Sequence, residues 1–112
     1  MEGLANRHCV PCHGGVPRLK GAEVETLLGQ LEGWRAFEEH HLEKSYEFKN
    51  FAGALEFVKR VARVAETEGH HPDIAFGWGY ARIKIYTHAI DGLSESDFIL
   101  AARIDADARG EV

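Results

Sequence analysis

Residues 50–72 read Asn50-Phe51-Ala52-Gly53-Ala54-Leu55-Glu56-Phe57-Val58-Lys59-Arg60-Val61-Ala62-Arg63-Val64-Ala65-Glu66-Thr67-Glu68-Gly69-His70-His71-Pro72. Phe51, Ala54, Leu55, Val58, Val61, Ala62 and Ala65 recur at helical spacing, so they predict one apolar stripe on an amphipathic helix of about four turns. Asn50 is placed to cap its start, because a side-chain oxygen there accepts from an unpaired backbone N–H of the first turn. Gly69 ends the pattern just before two adjacent histidines and a proline.

On both sides of this helix the hydrophobic period drops to that of a half-buried strand. Upstream, Leu42, Lys44, Tyr46 and Phe48 alternate with His41, Glu43, Ser45 and Glu47. Residues 34–38 form a second strand candidate, and the charged Glu38-Glu39-His40 stretch between the two fits a hairpin turn. Downstream come strands over residues 74–76 and 80–87. In the latter Ala81, Ile83, Ile85 and Thr87 share one face, while Arg82, Lys84, Tyr86 and His88 share the other. A first helix over residues 23–32 carries Val24, Leu27, Leu28 and Leu31 on one side, and a last helix runs from 95 to about 106. The order is α-β-β-α-β-β-α. Hairpins separated by helices, without a run of βαβ crossovers, predict an α+β fold: a four-stranded antiparallel sheet with helices on one face. The uncovered face and the edge strands predict a homo-oligomer.

A chain of 112 residues, 45% of them hydrophobic, suits one globular domain, expected over residues 20–112, with residues 1–19 as a Cys-, Gly- and Pro-rich extension. The formal charge is −5, with no basic stripe, which argues against a nucleic-acid partner. No apolar run approaches the roughly 20 residues of a membrane span, and no signal-peptide pattern opens the chain, so a cytoplasmic setting is expected. Cys9 and Cys12 lie in Arg7-His8-Cys9-Val10-Pro11-Cys12-His13. That run contains the haem c attachment pattern and also suits a zinc clip, a redox dithiol or a plain extension, so Cys9 and Cys12 are weak metal candidates.

His70 and His71 stand where a helix ends, and Pro72 disfavours helical backbone at His71, so the two side chains should diverge. His88 follows a strand, and one hairpin can return it to the pair. Imidazole titrates near neutrality, so such a cluster predicts proton transfer or metal binding; a single histidine there would instead serve the negative end of the helix dipole. Glu66 could add a carboxylate or orient an imidazole. Ser94-Glu95-Ser96-Asp97 has the form of a capping box, with Leu93 and Phe98 as its staple, which makes Asp97 structural. Trp34 and Trp78 suit a core or the walls of a site for a flat heterocycle.

With these residues in place, the sequence resembles the pterin-4a-carbinolamine dehydratases. The elements that carry the resemblance are Glu66, His70-His71-Pro72, Trp78, Thr87-His88 and Gly92-Leu93-Ser94-Glu95-Ser96-Asp97, with Gly33-Trp34 and Tyr46-x-Phe48-x-x-Phe51 upstream. It covers about residue 20 to residue 106. The resemblance implies an α+β fold in a homodimer or homotetramer. It implies dehydration of a small-molecule pterin substrate, 4a-hydroxytetrahydropterin, to quinonoid dihydropterin and water, in support of pterin recycling for aromatic amino-acid hydroxylation. It implies no metal or organic cofactor. His70, His71 and His88 would form the active site, and Glu66, Trp34 and Thr87 would line or support the pocket. Two positions depart from the family's pattern and bear on pocket polarity and substrate fit. Gly69 stands where many relatives carry an acidic residue, and Tyr86 where a small hydroxyl residue is usual. Some mammalian relatives also serve as dimerisation cofactors, so the alternative expectation is a non-catalytic binding module.

Overall fold

Asn50 accepts the Gly53 N–H at 2.8 Å and opens the long helix α2 (Phe51–Glu68). The computed structural model describes residues 3–9 and 17–110. The buried line of α2 is Ala54, Phe57, Val61 and Ala65. This is the predicted helix turned slightly on its axis. Phe51 and Ala62, expected on the stripe, are exposed, and Phe57 takes the central place. The cause is aromatic packing: the Phe57 ring lies 4.4 Å from Tyr46 and 5.2 Å from Phe48, on the sheet below. A buried phenyl contributes more apolar area than an alanine, so it decides which side of the helix faces in.

The sheet under α2 contains β1 (Arg35–Phe37), β2 (His41–Glu47), β3 (Asp73–Gly77) and β4 (Tyr80–Ile85) in the order β1-β2-β4-β3, antiparallel throughout. The register sets Leu42 against Ile85, Lys44 against Ile83, and Ile83 against Ile74. Leu42, Ala81, Ile83 and Ile85 are fully buried on the covered face. On the other face a row of alternating charge, Arg35, Glu43, Lys84 and Asp73, crosses all four strands. The β1–β2 connection places Glu38 and Glu39 both at φ 54°, with His40 N–H on the Phe37 carbonyl at 2.8 Å. Two consecutive left-handed residues match the twist of the flanking strands, and three residues, Glu38, Glu39 and His40, separate the paired Phe37 and His41.

The helices α1 (Ala22–Leu28) and α3 (Glu95–Ala108) complete the covered side, giving the order α-β-β-α-β-β-α. The first helix stops earlier than the periodicity of Val24, Leu27, Leu28 and Leu31 predicts. Past Leu28 the backbone tightens, with Gln30 bonding Leu27 and Leu31 bonding Leu28, through the weak helix former Gly29. The helix α3 is the core element: Phe98, Leu100 and Ala101 are fully buried, and Ile99 and Ile104 nearly so. Residues 3–9 lie along it, with a 3₁₀ turn at Leu4–Asn6 that buries Leu4 in the core. Among the described residues no helix is long and apolar enough to cross a membrane.

Candidate active site

Gly69 ends α2 at φ 65° with open space around its missing side chain, so what the position requires is the left-handed backbone alone. The N–H groups of Gly69 and His70 both reach the Ala65 carbonyl, the latter at 3.2 Å, in Schellman geometry. This turn swings the chain off the helix axis and presents His70 to the first turn of α3. His70 Nε2 donates to Asp97 Oδ1 at 2.6 Å. Asp97 is fully buried, and its other oxygen accepts the Ser94 N–H at 2.7 Å and the Thr87 hydroxyl at 2.9 Å. The Thr87 and Ser94 hydroxyls are themselves 2.8 Å apart. A carboxylate taken out of water needs every oxygen satisfied, and here three donors converge on it. Asp97 thus closes the predicted capping box with Ser94 and also fixes the tautomer and direction of His70. Only the first of these two tasks was legible in the sequence.

His71 diverges from His70 and pairs at the surface with Glu66, one turn back in α2. His88 opens a 3₁₀ turn (His88–Ile90), with Tyr86 and Thr87 between it and β4, which ends at Ile85 short of the predicted Thr87. The loop is closed where the Thr87 N–H meets the Gly92 carbonyl at 2.9 Å. His70, His71 and His88, together with Gly69, Tyr86, Thr87 and Ala89, line one cleft of about 330 Å³. The predicted histidines therefore come together, with Thr87 among the lining residues and Glu66 reaching them through its pair with His71.

Trp34 does not join them. It is 6% exposed, and its indole N–H donates to Asp105 at 2.7 Å. Trp34 immediately precedes β1, and its partner Asp105 stands in the C-terminal half of α3. Asp105 is eight residues beyond Asp97, about 12 Å along that helix. Asp105 also accepts from the Tyr46 hydroxyl at 2.6 Å and from Lys44 at 3.1 Å, making a second buried polar centre. Burial, and then Asp105, push the Tyr46 phenol far above its ordinary range. Trp78, the other candidate wall, is 72% exposed at the β3–β4 turn.

Behind the Tyr86 side of the cleft stand groups that the spacing of motifs did not single out as partners. The Tyr86 ring sits 4.3 Å from His88 and 4.6 Å from His40, and His40 donates to Asp91 at 2.8 Å. That hydrogen bond and the charge on His40 hold the Asp91 carboxyl below its usual value. His40 sits in the turn before β2 and Asp91 in the loop after β4, so no local pattern announces their meeting. Of the cysteine pair, Cys12 lies outside the described residues. Cys9 is half-buried, with Sγ 3.4 Å from the Ser96 carbonyl. Burial first, then the nearby charges of Glu68 and Asp97, push its thiol up to about 12. Among the described residues no group of three His, Cys, Asp or Glu side chains is arranged to hold a metal ion.

A small α+β protein whose long helix delivers paired histidines to a cleft beside the next helix is a class with known members. A sequence model described as pterin 4 alpha carbinolamine dehydratase matches residues 17–106. A protein of Rubrobacter xylanophilus, provisionally named pterin-4-alpha-carbinolamine dehydratase, is 58% identical over 94% of this chain and 98% of its own length. One of Alkaliphilus metalliredigens with the same provisional name is 46% identical over 94% and 96%. Among solved structures, a transcriptional coactivator/pterin dehydratase from Brucella melitensis aligns with TM-score 0.75 at 28% identity, over 80% of this chain and 97% of that one. A pterin dehydratase-like protein identified as a RuBisCO assembly factor in the alpha-carboxysome aligns with TM-score 0.58 at 31% identity, over 67% and 88%. The chain belongs to the pterin-4a-carbinolamine dehydratase family.

Proposed function

We propose that the chain is a hydro-lyase that dehydrates 4a-hydroxytetrahydropterin to quinonoid dihydropterin and water by histidine acid–base catalysis. The observation that carries this reading is His70, fixed on the buried Asp97, sharing one cleft with His71 and His88. In the reaction the ring N5 lone pair expels the C4a oxygen, the C4a–O bond breaks and an N5=C4a double bond forms. An acid delivers a proton to the departing hydroxyl, which leaves as water, and a base removes the N5 proton. The acid ends one proton poorer and the base one richer, and exchange with solvent restores both. Positioned groups of this kind contribute roughly 10²–10⁴-fold, and imidazole is best matched to neutral pH.

We assign the two proton transfers to His70 and His88, and the holding of the pterin to His71 with Glu66. With Nε2 committed to Asp97, His70 offers Nδ1 to a ligand. Thr87 supports from below through Asp97, and the Tyr86 ring supplies an aromatic wall for a flat bicycle. The test is a stopped-flow assay of carbinolamine dehydration. Wild type is expected to accelerate it over buffer, His70→Ala and His88→Ala to lower kcat, and His71→Ala mainly to raise KM. No acceleration by wild type would sink the reading.

A second reading, a non-catalytic binding module, draws support from the RuBisCO assembly factor's likeness in fold and from the exposed Phe51, Trp78 and Tyr80. It predicts no acceleration at all. Either reading suits a homodimer or homotetramer, since among the described residues the edge strands β1 and β3 each leave one side of a ladder unpaired.

A further inference from the structure

Glu68 occupies an unfavourable place. It is the last residue of α2, at the negative end of the helix dipole where a second negative charge is disfavoured, and its side chain is only 1% exposed. A buried anion there persists only if its partners hold it. Those partners come from residues 3–9 and from α3. The Cys9 N–H donates to Oε1 at 2.8 Å, and His8 Nδ1 and Arg103 Nε reach Oε2 at 3.0 and 3.1 Å. Arg103 in turn donates to the carbonyls of Ala5 and Arg7, at 2.8 and 2.9 Å. The same segment reaches the first turn of α3: Arg7 pairs with Glu95 at 2.9 Å, and Cys9 Sγ meets the Ser96 carbonyl. Leu4 anchors its beginning in the core.

These contacts bracket the His70–Asp97 bond from behind. Glu68 lies two residues before His70 and Ser96 one residue before Asp97, on helices separated in sequence by two strands and a loop and tied again farther along, where Arg60 bonds Asp107 at 3.1 Å. We propose that residues 3–9, with Glu68 and Arg103, form a positioning clamp that sets the His70–Asp97 distance by tying the end of α2 to the start of α3. Burial acts to raise the Glu68 carboxyl, and the Cys9 N–H, His8 and Arg103 more than offset it, so the anion that the clamp requires is held below its ordinary value. The clamp's effect on turnover rests on the dehydratase reading, whereas its effect on the His70–Asp97 bond does not.

The test uses the full-length chain labelled with ¹⁵N-histidine. A His70 Nε2–H donated to a buried carboxylate should give a downfield, exchange-protected imidazole proton, assigned by its absence in Asp97→Asn. Glu68→Gln is expected to erase or broaden that resonance and to lower kcat about tenfold with KM within about twofold, because a small displacement of a reacting group costs rate more than binding. Leu4→Ala loosens the segment from its other end without touching Glu68, and is expected to repeat the result; it decides the matter if Glu68→Gln does not fold. Val24→Ala, a core truncation away from the clamp, is expected to lower stability yet keep both resonance and kcat. If a folded Glu68→Gln or Leu4→Ala chain retains the resonance, or if Val24→Ala loses it equally, the clamp is refuted. If wild type fails to dehydrate the carbinolamine, the resonance still decides the clamp and the dehydratase reading falls by itself.

Discussion

Replacing Asp97 with asparagine exchanges one carboxylate oxygen for an amide nitrogen at almost constant volume, in a place where three donors converge. Ser94 N–H and the Thr87 hydroxyl share Oδ2, and His70 Nε2–H uses Oδ1. An asparagine satisfies the larger number by turning its oxygen to Ser94 and Thr87, which keeps the helix cap and sets the NH₂ group against His70. The imidazole must then shift its proton to Nδ1 or turn away, and the nitrogen facing the cleft changes from acceptor to donor. A hydrogen bond to a charged group contributes about 1.5–3 kcal/mol, so the variant should lose about that much stability by urea unfolding. At about 1.4 kcal/mol per decade the same loss in the transition state is a roughly 10–150-fold fall in kcat. KM should change far less, because Asp97 lies under the histidine and not in the cleft. Stopped-flow dehydration and urea melts on the same samples separate the two effects. A variant that loses stability but keeps kcat within about twofold would refute the argument and leave Asp97 as a helix cap only.

Tyr86→Ser removes the ring between His40 and His88, and should raise KM for the pterin about tenfold with a smaller change in kcat, read by steady-state kinetics. Asp105→Asn breaks the centre shared by Trp34, Tyr46 and Lys44, and should cost about 3 kcal/mol in urea unfolding. The folded fraction should keep its kcat, since that centre lies at the far end of α3. In a Cys12→Ser background, Cys9 should resist iodoacetamide at pH 8 until the chain is unfolded. Its folded value near 12 exceeds the ordinary thiol value of 9.0, so the stability gained from the neutral thiol is complete below the unfolded value and is lost as pH rises through about 12.

Much of the fold was legible because it rests on local periodicity. The alternation in residues 41–48 and 80–87 and the spacing in residues 51–65 each specify an element without reference to the rest of the chain. The face of α2 was off by part of a turn because Phe57 competes with Leu55 and Ala62, and only the aromatics waiting on the sheet settle the contest. The clustering of His70, His71 and His88 was legible from where elements end, since α2 and β4 finish at the same end of the sheet. The His70–Asp97 bond was not, because a capping box explains Asp97 completely at the local level. Glu68 was passed over for a similar reason: on a helix end it reads as a solvated carboxylate, and the folded-back residues 3–9 together with Arg103 of α3 cover it. Trp34, which the resemblance assigns to the pocket, lies instead against Asp105 in the C-terminal half of α3, a long-range contact that no local pattern announces.

The two tryptophans give the chain a pair of built-in optical probes with separate duties. Trp34 sits in the core against Asp105 with the Tyr46 ring edge-on at 6.5 Å, so its emission should be blue-shifted, shielded from iodide, and lost only when the whole domain melts. Trp78 stands in solvent at a hairpin tip, so its red-shifted, quenchable emission should respond to whatever docks on that end of the sheet. Fluorescence resolved by quencher can therefore follow folding and association in one cuvette, with no label attached.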